Sequence, residues 1–344
     1  MQFKACLTLL TSRSYMLTWH IEALHLTLKH TFVTAHGAST EKLNFLVQVS
    51  DGTYSGFGEA APSLRTGETP ELLLQQYKVL LVAGLPQVQS MEELLQLLVQ
   101  HPPVNSLRFA VEAAYLHYFC QHKGIPVHQL LGQPVPQPQA TCFSVPVTEP
   151  GEVQELITRQ DLDRFHYLKV KANPEQGPDL VKEVLRVTSQ PLVLDGNESW
   201  QDPGELLGFL HTLDRERVLF MEQPLPASKV AAYAHMKGES PIALVADESV
   251  TDTADFELMR SQFHGVNIKL MRAGGYLNGV RLLKEARKHG LKAVIGCTAE
   301  TSLGAWCSMQ LSSAFDFVDL GGFLHLAEEP FALVREQEGV LYLK

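Results

Sequence analysis

The strongest constraint on this chain is a recurrence: a short apolar run ends on a charged residue, and the pattern repeats at near-constant spacing. Leu168 and Val170 alternate with Lys169 and Lys171. Leu192-Val193-Leu194 runs into Asp195, residues 218–221 into Glu222, residues 243–246 into Asp247, and Val266-Asn267-Ile268 into Lys269. The steps from Lys171 onward are 24, 27, 25 and 22 residues. Alternate side chains of a strand share a face, so Lys169 and Lys171 point one way while Leu168 and Val170 point the other. Two lysines on one buried face need anions nearby, and the later strand ends supply them.

Strands are expected at 140–147, 166–172, 192–196, 218–222, 242–247, 265–271, 293–297 and 317–320, with helices between them, among others at 178–187, 202–213, 252–262 and 277–289. Eight strands alternating with helices predict a closed parallel α/β barrel, whose carboxyl strand ends form the mouth of the active site. An open doubly wound sheet is the runner-up, but it would not bring six successive strand ends to one point. The chain before 139 reads differently. Residues 17–61 predict three strands with a hairpin turn at Asp51-Gly52. The polar stretch 34–42, which contains His36, reads as a loop and candidate lid. Residues 69–123 predict helices, the first opened by Thr69-Pro70-Glu71. A short helix at 125–132 and a proline-rich linker through Pro138 complete an α+β unit.

A net charge of -10 argues against nonspecific binding of nucleic acid or acidic membrane. No apolar run approaches the 18 residues or so that a transmembrane helix requires. The five cysteines include no C-x-x-C pair, which suits reduced thiols in the cytoplasm. Lys4 and the apolar residues after it faintly resemble a signal peptide, but the stretch is short and no A-x-A site follows. Residues 1–15 therefore read as an extension, with Met16 an alternative start. Gly56-x-Gly58-x-x-Ala61 loosely fits a dinucleotide fingerprint, yet Pro62 and Ser63 follow where a helix should open, and the match is rejected.

Asp195, Glu222 and Asp247, brought to one point, would repel unless a cation sat between them. Three carboxylates with no His or Cys suit a hard divalent ion, Mg²⁺ first and Mn²⁺ second, rather than zinc. Taken singly, an acid at a strand end is more often a helix cap than a metal ligand; three in successive units favour the metal. Lys171 on the second barrel strand and Lys269 on the sixth stand on opposite sides of the mouth. A lysine desolvated near other cations is expected to have a depressed pKa and to act as a base. Two such lysines flanking a metal-bound carboxylate suit a 1,1-proton transfer: one removes the α-proton, Lys169 helps to stabilise the enediolate, and the other returns a proton to the opposite face. A Schiff-base aldolase also uses a strand lysine but needs no triad of acids.

These motifs, in this order, resemble the enolase superfamily, specifically its muconate-lactonising-enzyme subgroup. The resemblance rests on Lys169-x-Lys171, Asp195-x-Asn197, Met221-Glu222-Gln223-Pro224, Ala246-Asp247-Glu248-Ser249 and Asn267 through Gly274-Gly275. Gly58-Glu59-Ala60-Ala61-Pro62 resembles part of that family's capping domain. The resemblance implies a modified TIM barrel, (β/α)7β, at 136–322 with an N-terminal capping domain at 16–135 that is completed by about 323–344. It implies Asp195, Glu222 and Asp247 as Mg²⁺ ligands, Lys171 and Lys269 as the acid/base pair, and Asn197 and Glu248 as groups supporting them. Within the subgroup the likeness is greatest to the dipeptide epimerases. Their substrate contacts would fall here on Lys169, Cys142, Cys297, Thr298, Asp319, Gly321 and His36, with lids near 34–40 and 67–69. Where that family carries D-x-D to hold the substrate ammonium, this chain has Asp319-Leu320-Gly321, which keeps one acid and loses the other. No basic group is evident in the lids apart from His36. The expected activity is epimerisation of small or hydrophobic dipeptides. The alternatives are an N-acylamino-acid racemase, an o-succinylbenzoate synthase, a cycloisomerase, or a barrel kept as a binding scaffold. A homo-oligomer is expected by family analogy.

Overall fold

The computed structural model describes residues 16–34 and 37–344. The expected extension at 1–15 and His36 lie outside the described residues. The first sheet is an antiparallel meander of β1 (Thr18–Thr34), β2 (Gly37–Ser50) and β3 (Ser55–Ala60). The turn between β2 and β3 is set by Asp51, whose Oδ1 accepts the backbone N–H groups of Thr53 and Tyr54, both at 2.8 Å. The stretch expected to be a loop at 34–42 is strand from Gly37 onward, because the β1–β2 ladder continues past a register irregularity between Thr27 and Phe32.

Helices α1 (Pro70–Val82), α2 (Met91–Gln100) and α3 (Asn105–Lys123) follow, then the short α4 (Val127–Leu130). Thr69 caps α1 as expected, accepting Leu72 N–H. α3 is buried on almost every side and lies directly on β3. A Cβ on Gly56 would fall 1.9 Å from Ala114 O, and one on Gly58 2.1 Å from Ala110 O. The G-x-G pair is therefore a site of close backbone approach between strand and helix, which accounts for the spurious dinucleotide match.

The second sheet holds eight parallel strands: β5 (Cys142–Val145), β6 (Tyr167–Lys171), β7 (Leu192–Asp195), β8 (Val218–Glu222), β9 (Ala243–Ala246), β10 (Gly265–Lys269), β11 (Lys292–Gly296) and β12 (Phe317–Asp319). They neighbour one another in chain order, with β5 and β12 meeting at the seam. Leu168, Val170, Leu192 and Leu194 pack outward against helices such as α6 (Gly177–Val187). The opposite face points into the barrel. There Val193, Phe220, Val245 and Val294 form a small separate apolar cluster. Asp195, Glu222 and Asp247 lie two residues beyond the first three of these, on the same inward face by strand periodicity. An apolar floor thus sits directly beneath a charged rim. The sixth strand stops at Lys269 rather than running to 271, because Leu270 opens the short helix α10 (Leu270–Ala273), which closes at Gly274 with φ 73°.

Gln139 and Ala140 belong to neither sheet. As β4 they pair with β14 (Val340–Leu343), which pairs in turn with β13 (Val334–Gln337). The chain reaches this hairpin past β1, where Ala327 N–H donates to Thr27 O at 2.8 Å. No helix among the described residues is long and apolar enough to cross a membrane.

Candidate active site

The strand ends converge on a cavity of about 610 Å³. Lys169, 4% exposed, is part of its lining. Its Nζ donates to Glu222 Oε2 at 2.6 Å and Asp319 Oδ2 at 2.8 Å, and lies 3.1 Å from Asp195 Oδ2. Lys171 Nζ donates to Asp195 Oδ2 at 2.9 Å and Asn197 Oδ1 at 2.6 Å. Across the mouth, Lys269 Nζ donates to Asp247 Oδ2 at 2.9 Å, and Arg272 Nη1 to Asp247 Oδ1 at 3.0 Å. β6 and β10 are four strands apart in the order of eight, so the two lysines face each other over the acids of β7, β8 and the loop after β9.

The charges are arranged unevenly. Burial would raise the Asp195 carboxyl, but Lys169 and Lys171 outweigh it and hold Asp195 well below the usual carboxylate range. Arg272 and Lys269 do the same for Asp247. Glu222 is pushed up to about 8 by burial and by the charges of Asp195 and Asp247, against the pull of Lys169. Glu248 is pushed up to about 7 by burial and by Asp247. Its Oε1 accepts from Asn197 Nδ2 at 3.3 Å, whereas Oε2 is buried without a hydrogen-bond partner. The mouth thus holds more carboxylate than its cations compensate. Among the described residues no cluster of Asp, Glu, His or Cys is already drawn into a cation cage; ammonium groups bridge the acids instead. Burial alone would lower the Lys269 pKa, but with the Asp247 carboxylate paired to it the ammonium is held above the ordinary value.

Lys169, Lys171, Asp195, Asn197, Asp247, Glu248, Lys269, Cys297, Thr298 and Asp319 line the cavity. Glu222 lies beneath them with no exposure. Cys142 is fully buried behind Asp319, its Sγ donating to Asp319 Oδ1 at 3.1 Å, and it does not line the cavity. Burial pushes the thiols of both Cys142 and Cys297 well up, so neither is poised as a thiolate nucleophile. Gly321 is packed against Cys142 O, 2.8 Å from where a Cβ would stand, and Gly322 takes its place on the cavity wall.

Several residues that shape the site were given no role by the sequence, although Gln223 and Asn267 stand in its motifs. Gln223 adopts φ 30° directly after Glu222, and its Oε1 accepts the N–H groups of Asp247 and Ser249, both at 3.0 Å. Asn267, inward on β10, donates to Glu222 Oε1 at 3.0 Å. Arg65 supplies a cation at the cavity wall to which the sequence did not point. It lines the cavity, and its Nε and Nη2 donate to Glu198 Oε2 at 3.0 and 2.7 Å. Asn197 and Glu198 are successive non-glycine residues with left-handed backbones, φ 42° and 63°, the kind of strain that concentrates at functional sites. The M-E-Q-P and D-x-N spacings were the available signal for Gln223 and this turn; Arg65 carried none.

Residues 152–336 match the family model described as enolase C-terminal domain-like. The L-Ala-D/L-Glu epimerase of Bacteroides thetaiotaomicron is 27% identical over 319 residues, 92% of this chain and 83% of that protein. The structure of an enolase family member from Agrobacterium tumefaciens, described as having homology to dipeptide epimerases and holding sodium and L-Ala-L-Glu, is similar with a TM-score of 0.83. It is 25% identical and covers 95% of this chain and 98% of that one. The dipeptide epimerase of Enterococcus faecalis, solved with Mg and L-Leu-L-Tyr, shares the fold with a TM-score of 0.86 at 21% identity, covering 96% of this chain and 97% of that one. With that family model matching more than half of its length, the chain belongs to the enolase C-terminal domain-like family and so to the enolase superfamily.

Proposed function

We propose that the protein is a divalent-metal-dependent dipeptide epimerase that inverts the α-carbon beside the substrate carboxylate by a two-lysine proton transfer. The observation that carries this reading is the opposition of Lys171 and Lys269 across a set of buried acids. The names of the relatives point the same way.

The residues fit a hard dication. Asp195, Glu222 and Asp247 offer only carboxylate oxygens, their negative charge is incompletely compensated, and Glu248 Oε2 beside them is a buried acceptor without a donor. These three acids would hold Mg²⁺, as the solved relative with Mg encourages; when bound, the ion supplies positive charge that binds and polarises the substrate carboxylate. Lys171 and Lys269 then act on opposite faces of the α-carbon, one taking the proton and the other giving one back. The charge that develops on the carboxylate oxygens as the proton leaves is met by Lys169, which is preorganised by Asp319 and Glu222. Asn197 orients Lys171 through its Oδ1. Residues 16–135 serve as the cap that keeps water from the carbanionic centre.

Leu28, Leu43, Pro62 and Leu64 on the lid side of the cavity favour small or hydrophobic side chains. The charge of Arg65 is already committed to Glu198. Asp319 remains to meet an ammonium, but both of its oxygens already accept from protein donors. That observation favours a second reading, racemisation of N-acyl amino acids, which carry no ammonium. Proton NMR in D₂O with Mg²⁺ separates the two on Ala-Ala, Ala-Glu, Ala-Phe and N-succinyl amino acids. Loss of the α-proton signal in a dipeptide supports epimerisation. Exchange confined to the N-acyl compounds selects the second reading, and no exchange in any of them removes both.

A further inference from the structure

Lys269 ends β10 and stands directly before α10, whose last residues lead through Gly274-Gly275 into α11 (Tyr276–Lys288). This short segment is held from outside the barrel by one face of α3, the long helix on the capping sheet. Asn105 Nδ2 donates to Arg272 O at 3.0 Å. Seven residues further along the same helix, Glu112, 1% exposed, accepts Leu277 N–H on Oε1 at 3.0 Å. Its carboxyl group therefore caps the first turn of α11, where the unpaired N–H groups need an acceptor, and burial pushes its pKa up to about 7. Gly275 is the residue that admits it. Its φ is 149°, and a Cβ there would lie 2.4 to 2.5 Å from the Glu112 carboxylate atoms. Within the same four-residue helix, Arg272 grips Asp247, the carboxylate that also receives Lys269. Lys171 has a separate anchorage in Asp195 and Asn197.

We infer that Glu112, a carboxylate of the N-terminal α+β unit, is a positioning residue for Lys269: by capping α11 it fixes the Gly274-Gly275 turn, and through α10 it sets Lys269 and Arg272 against Asp247. The glycine pair after the lysine is then the receptor for an acid from the cap, and the α+β unit governs one half of the proton transfer selectively. The inference rests on the two-lysine reading above and deepens it.

The test places E112A in each single-lysine background. K171A leaves only Lys269 able to exchange the α-proton of the isomer on its side, and K269A leaves only Lys171. In D₂O with Mg²⁺ and Ala-Ala or Ala-Phe, E112A is expected to lower exchange in K171A by tenfold or more, since displacement of a catalytic group by about 1 Å costs up to roughly a hundredfold. Exchange in K269A should change less than about twofold, and E112Q, which retains an acceptor oxygen, should restore most of the loss. A general weakening of the fold would depress both halves alike, so equal losses in the two backgrounds overturn the inference, as does no loss in either. If E112A does not fold, N105A, which removes the neighbouring tie to Arg272 O, is read by the same criteria. Failure of both parents to exchange any proton, with the chain folded, removes the two-lysine reading itself and is distinct from either result.

Discussion

Lys169 Nζ and Asp319 Oδ2 are 2.8 Å apart, joining the second barrel strand to the eighth past the first strand that lies between them. The pair is almost fully buried, with side-chain exposures of 6% and 11%, and Asp319 is one of three carboxylates around the Lys169 ammonium, with Glu222 and Asp195. On the proposed reading D319N should weaken turnover of Ala-Ala, because Lys169 is held by one charged partner fewer where the substrate carboxylate would gain charge. A hydrogen bond to a charged group contributes about 1.5–3 kcal/mol, which corresponds to a fall in kcat/KM of roughly ten- to a hundredfold. Steady-state polarimetry decides it. Unchanged kcat/KM in a folded D319N protein would show that Asp319 is a bystander.

On the proposed reading Mg²⁺ should stabilise the fold through Asp195, Glu222 and Asp247. A ligand present at about a hundred times its Kd adds about 2.7 kcal/mol to unfolding, which reads as a rise of a few degrees in Tm. In E222Q the neutral amide replaces an acid whose charge the surrounding cations do not balance, and the Mg²⁺-dependent rise should shrink or vanish. Differential scanning fluorimetry with and without Mg²⁺ reads this independently of catalysis. An equal Mg²⁺ shift in both proteins would place the ion elsewhere.

The barrel was legible because its signal is periodic and local: an apolar run, an inward acid or lysine, and a helix, repeated along the chain. Strand alternation put Lys169 and Lys171 on one face and Leu168 and Val170 on the other. What stayed hidden depends on pairing over long sequence distances. Nothing near Arg65 announces Glu198, 133 residues away, and nothing near Gly56 announces that it faces Ala114 across a helix contact. The sequence shows the cationic neighbours of Lys269 but not the 2.9 Å contact that sets Asp247 against it. The segment after residue 36 was misread as a loop because its polar composition conceals continued pairing with β1. Ala140 read as barrel strand because local β character does not say which sheet will receive it.

The barrel seam depends on side chains. Leu320, just past β12, donates its backbone N–H to Thr141 Oγ1 at 3.0 Å, and Thr141 is fully buried just before β5. T141V keeps the shape and removes the acceptor, leaving a buried N–H unpaired at a cost of about 1–3 kcal/mol. Urea unfolding should show a lower midpoint with an unchanged m-value. No change in the midpoint would mean that the seam finds another acceptor.

Acid should loosen the contact between α3 and the barrel through His117. Its ring is buried, with Nδ1 2.6 Å from Phe57 O and Nε2 2.9 Å from Tyr276 OH, against Trp306 and Cys307. Burial lowers its pKa from 6.5 to about 4. The folded state therefore resists a proton that the unfolded chain accepts once the pH falls below 6.5. The stabilisation is fully present above pH 6.5 and is lost progressively as pH falls from 6.5 through 4, by about 3 kcal/mol in all. H117Q has no such proton to refuse. It should be less stable than the parent at pH 7.5 because the fitted ring is gone, and the gap in Tm between the two proteins should narrow steadily toward pH 4.5. A gap that stays constant across that range would show that His117 takes up its proton without cost in the folded state.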